Sequence, residues 1–88
     1  MTLTFDPAKD AINIAKHGVS LSRAAEMTVE VFRIDDRKDY GEARYRGFGP
    51  IEGRPHCLVV TYRDGMARVI SLRPCHLKEY RRHVREAV

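Results

Sequence analysis

Basic side chains that could bind an anionic partner are concentrated in the last third of this chain. Residues 63–88 hold seven Lys and Arg against three Asp and Glu, and the whole chain of 88 residues has a net charge of +4. Arginine supplies fixed charge and paired contacts to phosphate, and histidine titrates close to neutral pH. The excess of positive charge favours an anionic partner such as RNA or an acidic protein, although a surface that only contacts solvent would also account for it.

The segment Arg68–Arg73 is predicted to be a β-strand that carries part of this chemistry. Its apolar residues favour a buried pleated setting, and side chains alternate between the two faces of a strand. Ser71 and Arg73 should therefore share one face, with Arg68 on the other. Asp64-Gly65 predicts a two-residue hairpin that pairs this strand with His56–Tyr62 and places Leu58 opposite Ser71.

The remaining elements predict an α+β fold. Asp6 and Pro7 open a first helix that ends at Gly18, and Ser20 opens a second that ends between Met27 and Val31. Residues 49–53 read as a loop, and a basic helix runs from His76 to about Ala87. The sheet is expected to be a meander of about four antiparallel strands, with a short edge strand at the N-terminus. The strand segments are Leu3–Phe5, Phe32–Ile34, Ala43–Gly49, His56–Tyr62 and Arg68–Arg73.

The length and the cysteine content limit the possible sites. A chain of 88 residues makes one domain, 1–88, whose small core leaves room for an open groove rather than an enclosed pocket. Cys57 and Cys75 lack CxxC spacing, which predicts neither a metal site nor a redox pair, and no cofactor is expected. There is no signal peptide and no apolar run of about 18 residues, so we expect a cytoplasmic protein with reduced thiols and no membrane contact.

Three motifs in order resemble the BrnT-type toxins of bacterial type II toxin–antitoxin systems. The resemblance extends from about residue 4 to residue 84. The first motif is Phe5-Asp6-Pro7-Ala8-Lys9, Asn13 and Lys16-His17-Gly18-Val19-Ser20; the second is Asp39-Tyr40-Gly41-Glu42-Ala43-Arg44; the third is Arg68-Val69-Ile70-Ser71-Leu72-Arg73 followed by Glu79 and the basic helix.

The resemblance implies a RelE-like fold and a ribonuclease that inhibits translation. It also implies a BrnA-type antitoxin, a ribbon-helix-helix protein through which the complex would contact operator DNA. Many relatives carry Trp at Phe5, Lys-Ala at Pro74-Cys75 and Tyr at His83. The Pro74-Cys75 difference motivates an alternative function, a weakened toxin that serves as an antitoxin-binding co-repressor. A nucleic-acid-binding domain in its own right is a weaker alternative, because no helix-turn-helix pattern is present.

Metal-independent RNA cleavage uses the 2′-hydroxyl as nucleophile and needs a base, an acid and positive charge on the phosphate. Each candidate also has a structural interpretation. Arg73 or Arg44 could instead pair with Glu79 or Glu42, and Glu79 could pair along its helix with Arg82 or His83. His17 could cap its helix, and His83 and His76 could be exposed helix residues. The catalytic candidates are Arg73, Arg44, Glu79, His83 and His17.

Further basic and polar residues in or near the motifs and in the basic segment are candidates for RNA binding. Tyr40 and Tyr45 could stack on a base, although core packing suits Tyr45 better. Cys75 is expected to be a packed residue and not a nucleophile. The RNA-binding candidates are Arg68, Arg46, Lys9, Lys16, Ser71, His76, Lys78 and Arg82.

Overall fold

Five strands form a single mixed sheet in the computed structural model, which describes residues 3–86. The order across the sheet is β1-β5-β4-β3-β2, with β1 parallel to β5 and every other pair antiparallel. The elements are β1 (Leu3–Thr4), α1 (Pro7–His17), a 3-10 helix (Leu21–Glu26), β2 (Val31–Ile34), β3 (Tyr45–Ile51), β4 (Arg54–Arg63), β5 (Met66–Pro74) and α2 (Leu77–Glu86).

The α+β class and the C-terminal helix are confirmed, but two predicted features are wrong. The second N-terminal helix is a six-residue 3-10 helix, because Met27 already has extended backbone angles and a β-branched run follows it. The sheet has five strands and is mixed, because β1 pairs in parallel with the edge of β5 that the meander leaves open. Residues 49–51 belong to β3, and only Glu52 and Gly53 form the turn. Ala87, the predicted helix end, lies outside the described residues.

The β4–β5 hairpin turns at Asp64-Gly65 as predicted, but its register differs beyond Val69. A bulge makes Val59, and not Leu58, the partner of Ser71, which leaves Ile70 as the extra residue. Arg68 therefore lies on the same face as Ser71, whereas simple alternation placed the two on opposite faces. Leu72 pairs with Leu58.

Each face of the sheet has its own apolar cluster. The 3-10 helix covers one face, which we call the core face, where Leu21 and Leu72 are completely buried. α2 packs on the other face, the α2 face, with Tyr80 and Val84 against Phe48 and Cys57. Register places Arg68, Ser71 and Arg73 on the α2 face. Within residues 3–86, no helix is long and apolar enough to span a bilayer.

The segment before β2 crosses β3 so closely that only glycine fits at position 49. Thr28 donates its backbone N–H to the Pro50 carbonyl, and a Cβ added at Gly49 would overlap the Thr28 carbonyl. Gly49→Ala should therefore lower the free energy of unfolding by about 3 kcal/mol or more in urea denaturation. Gly47→Ala is the matched control, because its nearest contact would be 3.4 Å; a loss equal to that of Gly49→Ala would contradict the packing described.

Candidate functional site

Asn13 of α1 fixes the helix against the open edge of β5. Its side-chain amide donates to the Leu72 carbonyl at 2.7 Å and to the Val19 carbonyl at 2.9 Å, and its oxygen accepts from the Leu72 N–H at 3.3 Å. The side chain is buried, so these bonds satisfy backbone groups that water does not reach. Asn13 belongs to the first sequence motif, but the sequence alone suggested no role for it.

A groove with a basic rim runs between α1 and β5, and we call it the α1–β5 groove. Its position follows from Asn13, which holds the two elements side by side. Lys9, Lys16 and His17 project from α1, and Ser71 comes from β5. Arg44 completes the rim from the segment before β3. The lining residues are Lys9, Ile12, Asn13, Lys16, His17, Arg44, Ile70 and Ser71.

Arg73 lies near this groove and binds Glu79 of α2. Its two terminal nitrogens donate to the two carboxylate oxygens at 2.7 and 3.3 Å, and both side chains are partly exposed. The guanidinium holds the pKa of Glu79 below its ordinary value, chiefly through this hydrogen bonding. Glu79 is therefore a weak base that orients Arg73. Glu79 is one of the two carboxylates that the sequence analysis gave as possible partners of Arg73.

His17 is the last residue of α1 and is partly buried. Burial lowers the pKa of His17, and the positive charges of Lys16 and Arg73 lower it further. The charge of Arg73 thus reaches the imidazole from the neighbouring strand. A neutral imidazole at neutral pH is able to accept a proton.

Arg44 is held by a carboxylate and an aromatic ring. Its Nε donates to Glu42 at 3.3 Å, and its guanidinium carbon lies 4.3 Å from the centre of the Tyr40 ring. The Tyr40 hydroxyl donates to Asp35 at 3.1 Å. Sequence reasoning missed Asp35, because a polar turn gave no sign that its carboxylate would be buried.

Asp35 accepts two side-chain hydrogen bonds from Arg37, at 2.7 and 2.8 Å. These bonds hold the pKa of the Asp35 carboxyl well below its usual range against the opposing effect of burial. The carboxylate is therefore ionised across the physiological range and forms a stable anchor for Tyr40, on which Arg44 stacks.

Two predicted site residues lie beneath α2, away from the α1–β5 groove. His83 is only 3% exposed and stacks on Phe48 with 4.0 Å between ring centres, so its interpretation as an exposed helix residue is wrong. Arg46 packs over the same ring at 5.8 Å, and its Nε lies 4.0 Å from Asp35. Burial, followed by the charges of Arg46, Arg82 and Arg33, lowers the pKa of His83.

His76, just before α2, and the other predicted residues of α2 form an open cleft next to Arg73. His76, Lys78 and Arg82 line it together with Glu79, the partner of Arg73. The Arg73–Glu79 pair thus joins the α2 cleft to the strand that borders the α1–β5 groove. Arg68 is partly buried on the α2 face of β5, opposite Thr61. Tyr45 stacks on Phe32 within the core face, consistent with packing.

Cys75 and Cys57 are both free thiols near this region. Burial raises the pKa of Cys75 to about 11 and raises that of Cys57 as well. Both are therefore protonated and unreactive at neutral pH. Across the described residues, no group of three or more His, Cys, Asp or Glu side chains is placed to hold a metal ion.

Comparison with protein-family models identifies the family of this chain. Residues 5–79 match the model described as the ribonuclease toxin BrnT of type II toxin–antitoxin systems. The chain belongs to this family, which confirms the resemblance of its three motifs and implies an antitoxin partner. The comparison with curated proteins gives no match, and neither does the comparison with solved structures.

Replacing Asn13 by aspartate should destabilise the fold and disorganise the α1–β5 groove. A carboxylate cannot donate to the Leu72 and Val19 carbonyls, so two buried hydrogen bonds would be replaced by repulsion. We expect a loss of about 2–4 kcal/mol in the free energy of unfolding, measured by urea denaturation.

Asp10→Asn is the isosteric control for this change. Asp10 only accepts, through one oxygen, from the Ser20 hydroxyl and the Leu21 N–H, and asparagine keeps that oxygen. Asp10→Asn should lower the free energy of unfolding by no more than about 1 kcal/mol. Equal effects of the two substitutions would contradict the role assigned to the Asn13 donors.

The buried His83 should make the protein less stable in mild acid. Its folded pKa is below the ordinary value of 6.5, so the unfolded chain binds more protons between the two values. The contribution of neutral His83 to the free energy of unfolding is fully present above pH 6.5. It is lost as the pH falls towards the pKa of His83 in the folded protein. His83→Phe should reduce the change in the free energy of unfolding between pH 7.5 and pH 5. The substitution His76→Phe, at an exposed position, is the control and should not reduce it. An unchanged pH dependence in His83→Phe would contradict this assignment.

Proposed function

We propose that this chain is an endoribonuclease toxin that cleaves RNA without a metal ion and so inhibits translation. The observation that carries the proposal is the joint placement of His17 and Ser71 in the α1–β5 groove, with Arg73 two residues beyond Ser71 on the same face of β5. A base, a hydroxyl and a fixed positive charge are then available to one phosphodiester. Membership of the BrnT family supports the same activity.

In the proposed reaction, His17 takes the proton of the 2′-hydroxyl as its oxygen attacks phosphorus. Arg73, with Arg44, stabilises the charge on the pentavalent phosphate. The bond to the 5′-oxygen breaks, and His76 donates a proton to that leaving oxygen. The products are a 2′,3′-cyclic phosphate and a 5′-hydroxyl end. His83 has no part in this scheme, because its ring is buried against Phe48.

The remaining predicted residues have binding and positioning roles in this proposal. Ser71 and the lysines of α1 hold the RNA backbone in the groove, and the α2 cleft extends the contact. Glu79 orients Arg73 through its two hydrogen bonds. Arg68 and Arg46 contribute positive potential on the α2 face. These residues are Lys9, Lys16, Ser71, Lys78, Arg82, Arg68 and Arg46.

The proposal includes the biological setting. The fold is taken to be RelE-like, and the protein to act in the cytoplasm. Its partner is taken to be a BrnA-type ribbon-helix-helix antitoxin, which neutralises the toxin and carries it to operator DNA. RNA is the direct nucleic-acid ligand of the toxin, and DNA is reached only through the complex.

One observation favours the alternative, an antitoxin-binding co-repressor with a weakened site. Both terminal nitrogens of Arg73 already bind Glu79, and Arg44 binds Glu42. An RNA phosphate would have to compete with these carboxylates. In that case the protein would bind its antitoxin and leave RNA intact.

Arg73→Ala should lower RNA cleavage by about 10²–10³-fold, because the phosphate loses its main fixed charge. Arg73→Lys should recover only part of the rate, since lysine lacks the paired donor geometry. The measurement is single-turnover cleavage of a short RNA in the presence of EDTA, with circular dichroism to verify folding.

Arg23→Ala is the matched control, because it also removes an arginine that pairs with a carboxylate, Glu26, but on the 3-10 helix that covers the core face. Its cleavage rate should stay within about threefold of the wild-type rate. If the Arg73→Ala variant is folded and cleaves RNA at the wild-type rate, the site assignment is wrong. Intact RNA with the wild-type protein, together with antitoxin binding, would establish the co-repressor instead.

A further inference from the structure

One side of α2 carries an apolar strip that the rest of the chain covers only in part. Leu77 is 48% exposed, and Tyr80 and Val84 continue the strip at helical spacing with partial exposure. Three long cationic side chains border it and contribute their aliphatic stems. The groove so formed, which we call the α2 groove, is lined by Leu77, Lys78, Tyr80, Arg81, Val84 and Arg85.

Among residues 3–86, the cations along the α2 groove have no carboxylate partner, although the helix contains two glutamates. Glu79 binds Arg73, and Glu86 binds Arg33 at 3.1 Å, so both acidic side chains are directed elsewhere. Within residues 3–86, no carboxylate lies within 4.0 Å of the charged groups of Lys78, Arg81 or Arg85. The α2 groove therefore combines exposed apolar area with uncompensated positive charge.

We propose that the α2 groove is the docking site for an acidic segment of the antitoxin that carries an apolar face. The inference rests on the proposed function, which supplies the partner. Apolar side chains at helical spacing would fill the strip between Leu77 and Val84, and carboxylates on both sides would pair with the bordering cations.

An RNA strand suits the α2 groove less well than such a segment. RNA contacts are made by cations to phosphates and by aromatic rings or guanidinium planes stacked on bases. Tyr80 is the one residue of the strip with an aromatic ring, and contact with RNA would leave Leu77 and Val84 in water. Burial of the strip, worth roughly 25 cal/mol per Å² of apolar area, favours a protein partner.

The location of the α2 groove links docking to activity. Lys78 and Arg85 line both this groove and the α2 cleft that contains Glu79. A segment bound along α2 would place its carboxylates within reach of the cations proposed to hold RNA. Antitoxin binding and RNA binding should therefore compete, without the antitoxin entering the α1–β5 groove.

The test measures the affinity of the purified antitoxin encoded with this chain for the wild-type protein and four variants. Leu77→Asp removes an apolar contact, and Arg81→Glu reverses a bordering charge. Neither residue belongs to the proposed RNA site, and an acid at Leu77 suits the first turn of a helix. The matched controls are Ile34→Asp, at a 57% exposed apolar residue of β2, and Arg54→Glu, at an exposed arginine of β4.

We expect Leu77→Asp and Arg81→Glu each to raise the antitoxin Kd by at least about tenfold. RNA cleavage by the free variants should stay within about twofold of the wild-type rate. Arg81→Glu should also slow association and weaken its salt dependence. Both controls should bind the antitoxin as the wild-type protein does.

Three results would overturn the docking site while leaving the proposed function in place. The first is wild-type antitoxin affinity in both test variants. The second is a loss of affinity in Ile34→Asp alone, which would place the antitoxin on the core face. The third is a loss of RNA cleavage, with antitoxin binding intact, in the α2 variants, which would make the groove an RNA site. If the wild-type protein itself fails to bind the antitoxin, the proposed partner is wrong, and the proposed docking site is then wrong as well.

Discussion

The three hydrogen bonds of the Asn13 side chain connect α1 both to β5 and to the segment that follows the helix. In the part of the chain that the structure describes, β1 pairs with β5 at Ala67 and Arg68, so the edge of β5 beyond Arg68 needs other partners. Asn13 supplies both a donor and an acceptor to Leu72, just after the bulge. The same amide binds Val19 and so fixes the end of α1, where His17 lies. One buried side chain thus sets the distance between the histidine and the strand that carries Ser71 and Arg73.

The charges near the α1–β5 groove are organised as ion pairs. Arg73 uses two of its five N–H groups on Glu79, and the proposed reaction assigns others to the phosphate. Arg44 is likewise held by Glu42 while its plane lies against Tyr40. Each carboxylate holds its arginine in one orientation. In the proposed reaction, a phosphate would share each guanidinium with a carboxylate that stays in place.

Local signals were sufficient to predict the ends of several elements. Asp6 caps α1 through the Ala8 N–H, and Gly18 ends that helix in the left-handed conformation. The turn at Asp64-Gly65 depends on positive φ angles, which favour these residue types, so it was also predictable. The family motifs predicted the BrnT assignment, which the family comparison confirmed.

Features that depend on long-range packing were not predictable from the sequence. The bulge at Ile70 follows from the fit of β5 against β4, and it moved Arg68 to the face of Ser71. His83 looked like one more polar residue of a basic helix, but the helix turns it towards Phe48. Asp35 became an anchor only because Arg37 and Tyr40 fold back onto it. In each case the decisive neighbour is set by tertiary structure and not by spacing along the chain.

The central claim is that RNA binds in the α1–β5 groove. The most direct measurement is an NMR titration of the protein with a short RNA whose 2′-hydroxyls are methylated, so that the proposed nucleophile is blocked. We expect the largest shifts in the backbone signals of residues 16–18 and 70–73, with smaller shifts along α2. Shifts centred on the apolar residues of the core face around Phe32 and Tyr62, with residues 16–18 and 70–73 unchanged, would contradict the account.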